Sequence, residues 1–352
     1  MKSSSPEPQN ILIILLGGIG DVIMFSPCLR FIRNAYPKSR ISLLMSKGVM
    51  KDILEDGCYD DVILYDGVYN VIKKVRSWRY DILISTFQIN PLKSAILGKL
   101  CRIPVTIGED LGMKKNIKKT TVFLTQCYHR KGKEHCLTIN NNILRLLNLD
   151  NKDAKYYFPV SDDNRKTIIN FFSSNNINLD NFLIAIHPGS TETLKIKRWP
   201  EENFSKVIDS ISEDENITIF IMGSKEEVNL ANEIIPAGKD NVINTAGIFN
   251  LFETGALIER CNLIFGNDTG IIKIAEALDI PTISIWGPTD PAITGPYDRS
   301  KHIVIYKNLN CSPCFNYPEV GCNKPDCIET ITVSEVLDVI QKRIKETCKR
   351  EL

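Results

Sequence analysis

What the sequence lacks narrows it first. No apolar run approaches the ~20 residues needed to cross a bilayer, and the first one, Ile11 to Leu16, is far shorter. Before it, Met1 to Asn10 carries Pro6, Glu7 and Pro8 instead of the basic start and cleavage site of a secretory signal. A cytoplasmic protein is expected. Net charge is also scarce: 43 Lys and Arg against 42 Asp and Glu leave +1, so no global field draws the chain to nucleic acid. There is no D-x-D pair after a strand to hold a divalent metal. The adjacent pairs Asp60-Asp61 and Asp162-Asp163 read as solvated turns. No HExxH, Walker A lysine motif or nucleophile elbow occurs. Of the four histidines, His129, His135 and His302 have no evident partner, so no catalytic triad can be built.

What is present is a repeated alternation. At 352 residues the chain is long for one α/β core and comfortable for two. Short continuous apolar runs, such as Ile41–Met45 and Ile217–Met222, alternate with longer amphipathic stretches, such as Glu201–Ile211. Apolar strands joined by crossover helices form parallel sheets covered on both faces. Two Rossmann-like α/β domains follow: 1–155, and 156–332, with the boundary in the polar stretch Asn151–Asn164. A last helix, Val333–Glu346 within 333–352, closes the chain.

Chemistry is expected where strands end, because ligands of open α/β sheets bind at the carboxyl edge. Four such ends are polar or glycine-rich. Leu16-Gly17-Gly18-Ile19-Gly20-Asp21 turns a strand into a helix, with Gly18 and Gly20 in the loop. Asp21 is either a helix-end charge or a carboxylate facing a ligand as general base. His187-Pro188-Gly189-Ser190-Thr191 leads into Lys195, Lys197 and Arg198, a set that suits a diphosphate or, equally, a solvated basic loop. Gly266-Asn267-Asp268-Thr269-Gly270, with Lys273 one turn on, reads as a helix cap or as a phosphate and sugar contact. Gly287-Pro288-Thr289-Asp290 repeats the pattern.

The blocks GGIGDVIMFSPCLRFIRNAYP, IAIHPGS, KRWPEENF, IMGSKEE, GNDTG and GPTDP resemble those of the bacterial heptosyltransferases, glycosyltransferase family 9, in order and spacing. The resemblance implies the GT-B fold: two Rossmann-like domains facing each other across a cleft, the first receiving the acceptor and the second binding ADP-heptose. The last helix is then expected to cross back to the first domain. It implies an inverting, metal-independent transfer to a glycan acceptor, the lipopolysaccharide core or another surface glycan. Carried over, Asp21 is the general base and Lys197 stabilises the departing diphosphate. Ser190 and Thr191 meet phosphate, Glu226 or Glu227 holds the ribose, and Asp268, Thr269 and Gly270 contact the donor, with Thr289 bordering it. Lys273 stands where the family usually has histidine, which leaves another nucleotide-sugar, a protein acceptor or a non-catalytic nucleotide-sugar-binding module as alternatives.

Two features lie outside that pattern. Cys311, Cys314, Cys322 and Cys327 fall within one short segment and read as a structural zinc or iron site, or as four free thiols. The basic stretch Lys114, Lys115, Lys118, Lys119, Arg130, Lys131 and Lys133 is a solvated face, or it docks an anionic glycan or glycolipid acceptor at the inner membrane surface.

Overall fold

The computed structural model describes residues 7–87, 89–110, 124–152, 155–190, 192–314, 322 and 325–348. The chain divides into two units, Met1–Pro159 and Val160–Leu352.

In the first unit the strands are β1 (Asn10–Leu15), β2 (Arg40–Met45), β3 (Asp61–Leu64), β4 (Ile82–Ser85), β5 (Val105–Glu109) and β6 (Gln126–Tyr128). All pair in parallel, in the order β3-β2-β1-β4-β5-β6. The central strands NILIIL and RISLLM are buried along nearly their whole length, which is why they read as unbroken apolar runs rather than alternating ones. The helices are α1 (Ile19–Ala35), α2 (Val68–Trp78), α3 (Pro91–Leu100) and α4 (Cys136–Arg145). Val71 and Val75, one turn apart on α2, pack against Leu12, Leu44 and Leu83 of the sheet.

The second unit repeats the design. Its strands are β7 (Phe182–His187), β8 (Ile217–Ile221), β9 (Val242–Asn244), β10 (Leu263–Asn267), β11 (Thr282–Trp286) and β12 (His302–Tyr306), in the parallel order β12-β11-β10-β7-β8-β9. Its helices are α5 (Asp162–Ser174), α6 (Glu201–Ile211), α7 (Val228–Ile234), α8 (Leu251–Glu259), α9 (Gly270–Ala277), α10 (Pro291–Thr294), α11 (Asp326–Glu329) and α12 (Val333–Cys348). Trp199, Phe204 and Phe265 form an aromatic centre, Trp199 meeting Phe204 edge-on at 5.2 Å.

The structure departs from expectation at several places. Strands β5, β6 and β12 are short or carry polar residues at their ends, so their pattern alone did not announce them. The boundary, at Pro159/Val160, does fall in the expected stretch Asn151–Asn164, but α5 already begins there, where Ser161 and Asn164 form a capping box. Helix α12 buries Val336 and Ile340 in the core of the second unit.

Candidate functional site

In the first unit β1 runs straight into the glycine turn and α1. Asp21 Oδ2 accepts the N–H of Gly18 at 2.8 Å, closing the first turn of the helix. A Cβ on Gly17 would overlap the Asp21 side chain, so glycine there lets the carboxylate fold against the loop. The helix-end reading of Asp21 is therefore realised. It does not exhaust the group, since a carboxylate offers about four lone-pair sites. Asp21 also lines a cavity of about 150 Å³ with Gly17, Met24, Phe25, Thr86, Phe87, Ile89, Cys136 and Asn140 among its walls.

That cavity sits at the carboxyl ends of β1 and β4. Thr86 donates to the Ile14 carbonyl at 2.9 Å, and Asn140 Oδ1 accepts the Phe87 N–H at 2.8 Å. Behind Phe87 the Arg130 guanidinium lies 5.3 Å from the ring centre and pairs with buried Glu109 at 2.6 Å. Arg130 is thus committed inside the unit and is not part of a solvated basic face. Lys114, Lys115, Lys118 and Lys119 lie outside the described residues.

In the second unit four strand ends converge. Asp268, just past β10, accepts from Lys197 Nζ at 2.7 Å and from the Thr289 hydroxyl at 2.7 Å. Asn267, fully buried, accepts the Trp199 N–H at 3.0 Å and donates to the Pro188 carbonyl at 2.7 Å, so one side chain ties the Lys197 loop to the His187 loop. Thr269 precedes α9 but makes no side-chain cap; its hydroxyl meets His187 Nδ1 at 3.3 Å instead. Gly270 opens α9 with no side-chain cap on its first turn, the condition for an anion to bind there.

Glu227 and Glu226 separate clearly. Glu226 points to solvent, whereas Glu227 Oε2 lies 3.7 Å from His187 Nε2 and accepts the Ser224 N–H at 2.9 Å. Burial pushes the Glu227 carboxyl up, but His187 and the Ser224 N–H outweigh it and hold its pKa at about 2. A Cβ on Gly189 would overlap Glu227 Oε1, so this glycine makes room for the acid.

Several of the expected residues are engaged within the protein itself. The Ser190 hydroxyl is engaged within its own loop, donating to the Leu194 carbonyl and accepting from Arg198, both at 3.1 Å, so it acts as a loop anchor in this structure. Thr191 lies outside the described residues. Lys273, expected at the donor, is only 3% exposed and its ammonium binds Glu276 at 2.8 Å, because α9 turns this side chain inward. The pKa of Cys314 is pushed up by burial and then by Cys322 and Cys311, and that of Cys327 to about 11 by burial and then by Cys314. They share a neighbourhood, yet among the described residues no group of three or more His, Cys, Asp or Glu is gathered as metal ligands. Cys327 is buried on α11, while Cys311 faces solvent. The three remaining histidines do have partners: Asp110 for His129, Thr282 for His302, and the α4 N-terminus for His135.

Two parallel α/β sheets, each with polar loops at its strand ends, make this a two-unit α/β protein of the kind that binds ligands at the carboxyl edges of its sheets. Residues 68–323 match the glycosyltransferase family 9 (heptosyltransferase) model, well over half of the sequence, and the chain belongs to that family. It is 23% identical to the lipopolysaccharide core heptosyltransferase OpsX of Haemophilus influenzae over 90% of each chain. The fold is shared with Escherichia coli ADP-heptose lipopolysaccharide heptosyltransferase II (TM-score 0.70, 21% identity, 96% and 99% coverage). It is shared too with the Escherichia coli heptosyltransferase WaaC bound to ADP-2-deoxy-2-fluoro heptose (TM-score 0.64, 19% identity, 95% and 99% coverage). The GT-B class expected from sequence is thereby shown, and the chain is a glycosyltransferase.

Proposed function

We propose that this enzyme transfers heptose from ADP-heptose to a saccharide hydroxyl of a lipopolysaccharide core, with inversion and without a catalytic metal. The observation that carries the reading is the Lys197–Asp268–Thr289 cluster beside the uncapped start of α9. It gathers a cation, a hydroxyl and backbone N–H groups at the carboxyl edge of one sheet, as a sugar diphosphate requires. The related Escherichia coli enzymes, an ADP-heptose lipopolysaccharide heptosyltransferase and one bound to ADP-2-deoxy-2-fluoro heptose, support the choice of donor.

The chemistry follows from charge. As the acceptor oxygen forms its bond to the anomeric carbon, the bond from that carbon to the diphosphate breaks. Positive charge builds on the sugar and negative charge on the leaving ADP. Lys197 and the α9 N–H groups meet the negative charge, which is the usual dominant catalytic contribution. The acceptor proton passes to Asp21, whose orientation Gly18 fixes. Glu227, ionised and seated over Gly189, accepts from the ribose hydroxyls.

Replacing Asp21 tests the base. Asp21→Ala should retain ADP-heptose binding and lose about two to four orders of magnitude in transfer; undiminished transfer would eliminate Asp21 as base. Excess EDTA should leave transfer intact, and a loss restored by one divalent ion would overturn metal independence. Thermal shifts across ADP-, GDP-, UDP- and CMP-sugars test the donor, since only a bound nucleotide raises the melting temperature.

A further inference from the structure

We propose that Asn140 binds the reacting hydroxyl of the acceptor, a step that rests on the reading of Asp21 as base. Asn140 lies on α4, is 4% exposed, and lines the same cavity as Asp21. Its two amide atoms are told apart by chemistry. The Phe87 N–H can only donate, so the atom 2.8 Å from it is the carbonyl oxygen Oδ1. The amide nitrogen Nδ2 then points the other way, and among the described residues it donates to no partner. Nδ2 is not sealed in: it keeps accessible surface, so a ligand entering the cavity can reach it.

The other polar groups on the cavity wall narrow its role. The Thr86 hydroxyl is spent on the Ile14 carbonyl, and the Cys136 thiol lies 3.2 Å from Met24 sulfur. Asp21 is an acceptor when ionised, whereas Asn140 Nδ2 is a donor. A hydroxyl has one proton to give and two lone pairs to receive, so it fits between them. Its proton goes to the Asp21 carboxylate, one lone pair accepts from Asn140, and the second remains to attack the anomeric carbon. Met24, Phe25, Phe87 and Ile89 give the rest of the cavity apolar walls, suited to the C–H face of a sugar ring.

The test measures binding of a deacylated lipopolysaccharide core oligosaccharide by calorimetry without donor, then its KM in transfer. Asn140→Asp keeps an oxygen for the Phe87 N–H and, ionised, removes the donor; Asn140→Ala removes the donor without adding charge. Both should weaken oligosaccharide binding and raise its KM about tenfold or more, with ADP-heptose KM within twofold of the unmodified enzyme. Oligosaccharide affinity within twofold in both variants would overturn the proposal. If neither variant folds, the side-chain amide resonance of Asn140 in the unmodified protein decides: it should shift on adding oligosaccharide, and a fixed resonance would overturn the assignment. Failure of the base reading is separable, because it would show as undiminished transfer by Asp21→Ala while these binding measurements stand on their own.

Discussion

Gly189 and Glu227 show how a single atom constrains a site. Gly189→Ala must push the Glu227 carboxyl aside, so donor KM is expected to rise about tenfold with kcat less affected; equal KM in steady-state kinetics would deny Glu227 its role. His302 supplies a pH signature of a different kind. Burial, then the charge of Lys273, lowers its pKa from 6.5 to about 4. Between those values the unfolded chain binds a proton that the folded one refuses, so stability is full above 6.5 and is lost as pH falls toward 4. His302→Gln should flatten the pH dependence of urea-unfolding free energy in that window. The glycine-rich loops drew attention to Asp21 and Lys197, although each also had a structural reading, as a helix-end charge and as a solvated basic loop. Asn140 gave no such sign, since its role depends on Phe87, 53 residues away, taking one half of its amide.

At the scale of elements, α9 carries the clearest lesson. The sequence KIAE places Lys273 and Glu276 three residues apart, so their contact was legible, but not that both turn inward to 4% and 3% side-chain exposure. Lys273→Met strands the Glu276 carboxylate, whose pKa burial already raises, and should cost roughly 3 kcal/mol of stability in chemical denaturation. Adding Glu276→Met should recover most of it, because the second substitution removes the uncompensated charge. If the single variant were as stable as the parent, the pair would contribute nothing to α9. Most strands were readable as unbroken apolar runs; edge strands β6 and β12 were not, because half-solvated edges admit polar residues that blur the pattern, and interior β5, VTIGE, was missed because threonine, glycine and glutamate break its run.

For the molecule as a whole, each unit has its own core and its own sheet. A fragment comprising residues 160–352 should therefore fold alone and still bind ADP, seen as a ligand-dependent rise in melting temperature; a fragment that folds without any such response would move donor binding elsewhere. Within it, Ile340→Ala should cost roughly 2–5 kcal/mol, since α12 seals the core it enters.

The seal made by α12 sets an order of assembly during synthesis. The first unit is complete once Pro159 has cleared the ribosome, whereas the second lacks Val336 and Ile340 until nearly all of its elements are made. At roughly 5–20 residues per second, that leaves its aromatic centre without a lid for on the order of ten seconds or more. Nascent chains stalled before Val333 should accordingly be the ones that chaperones hold and proteases cut, while the half that emerged first is already resistant.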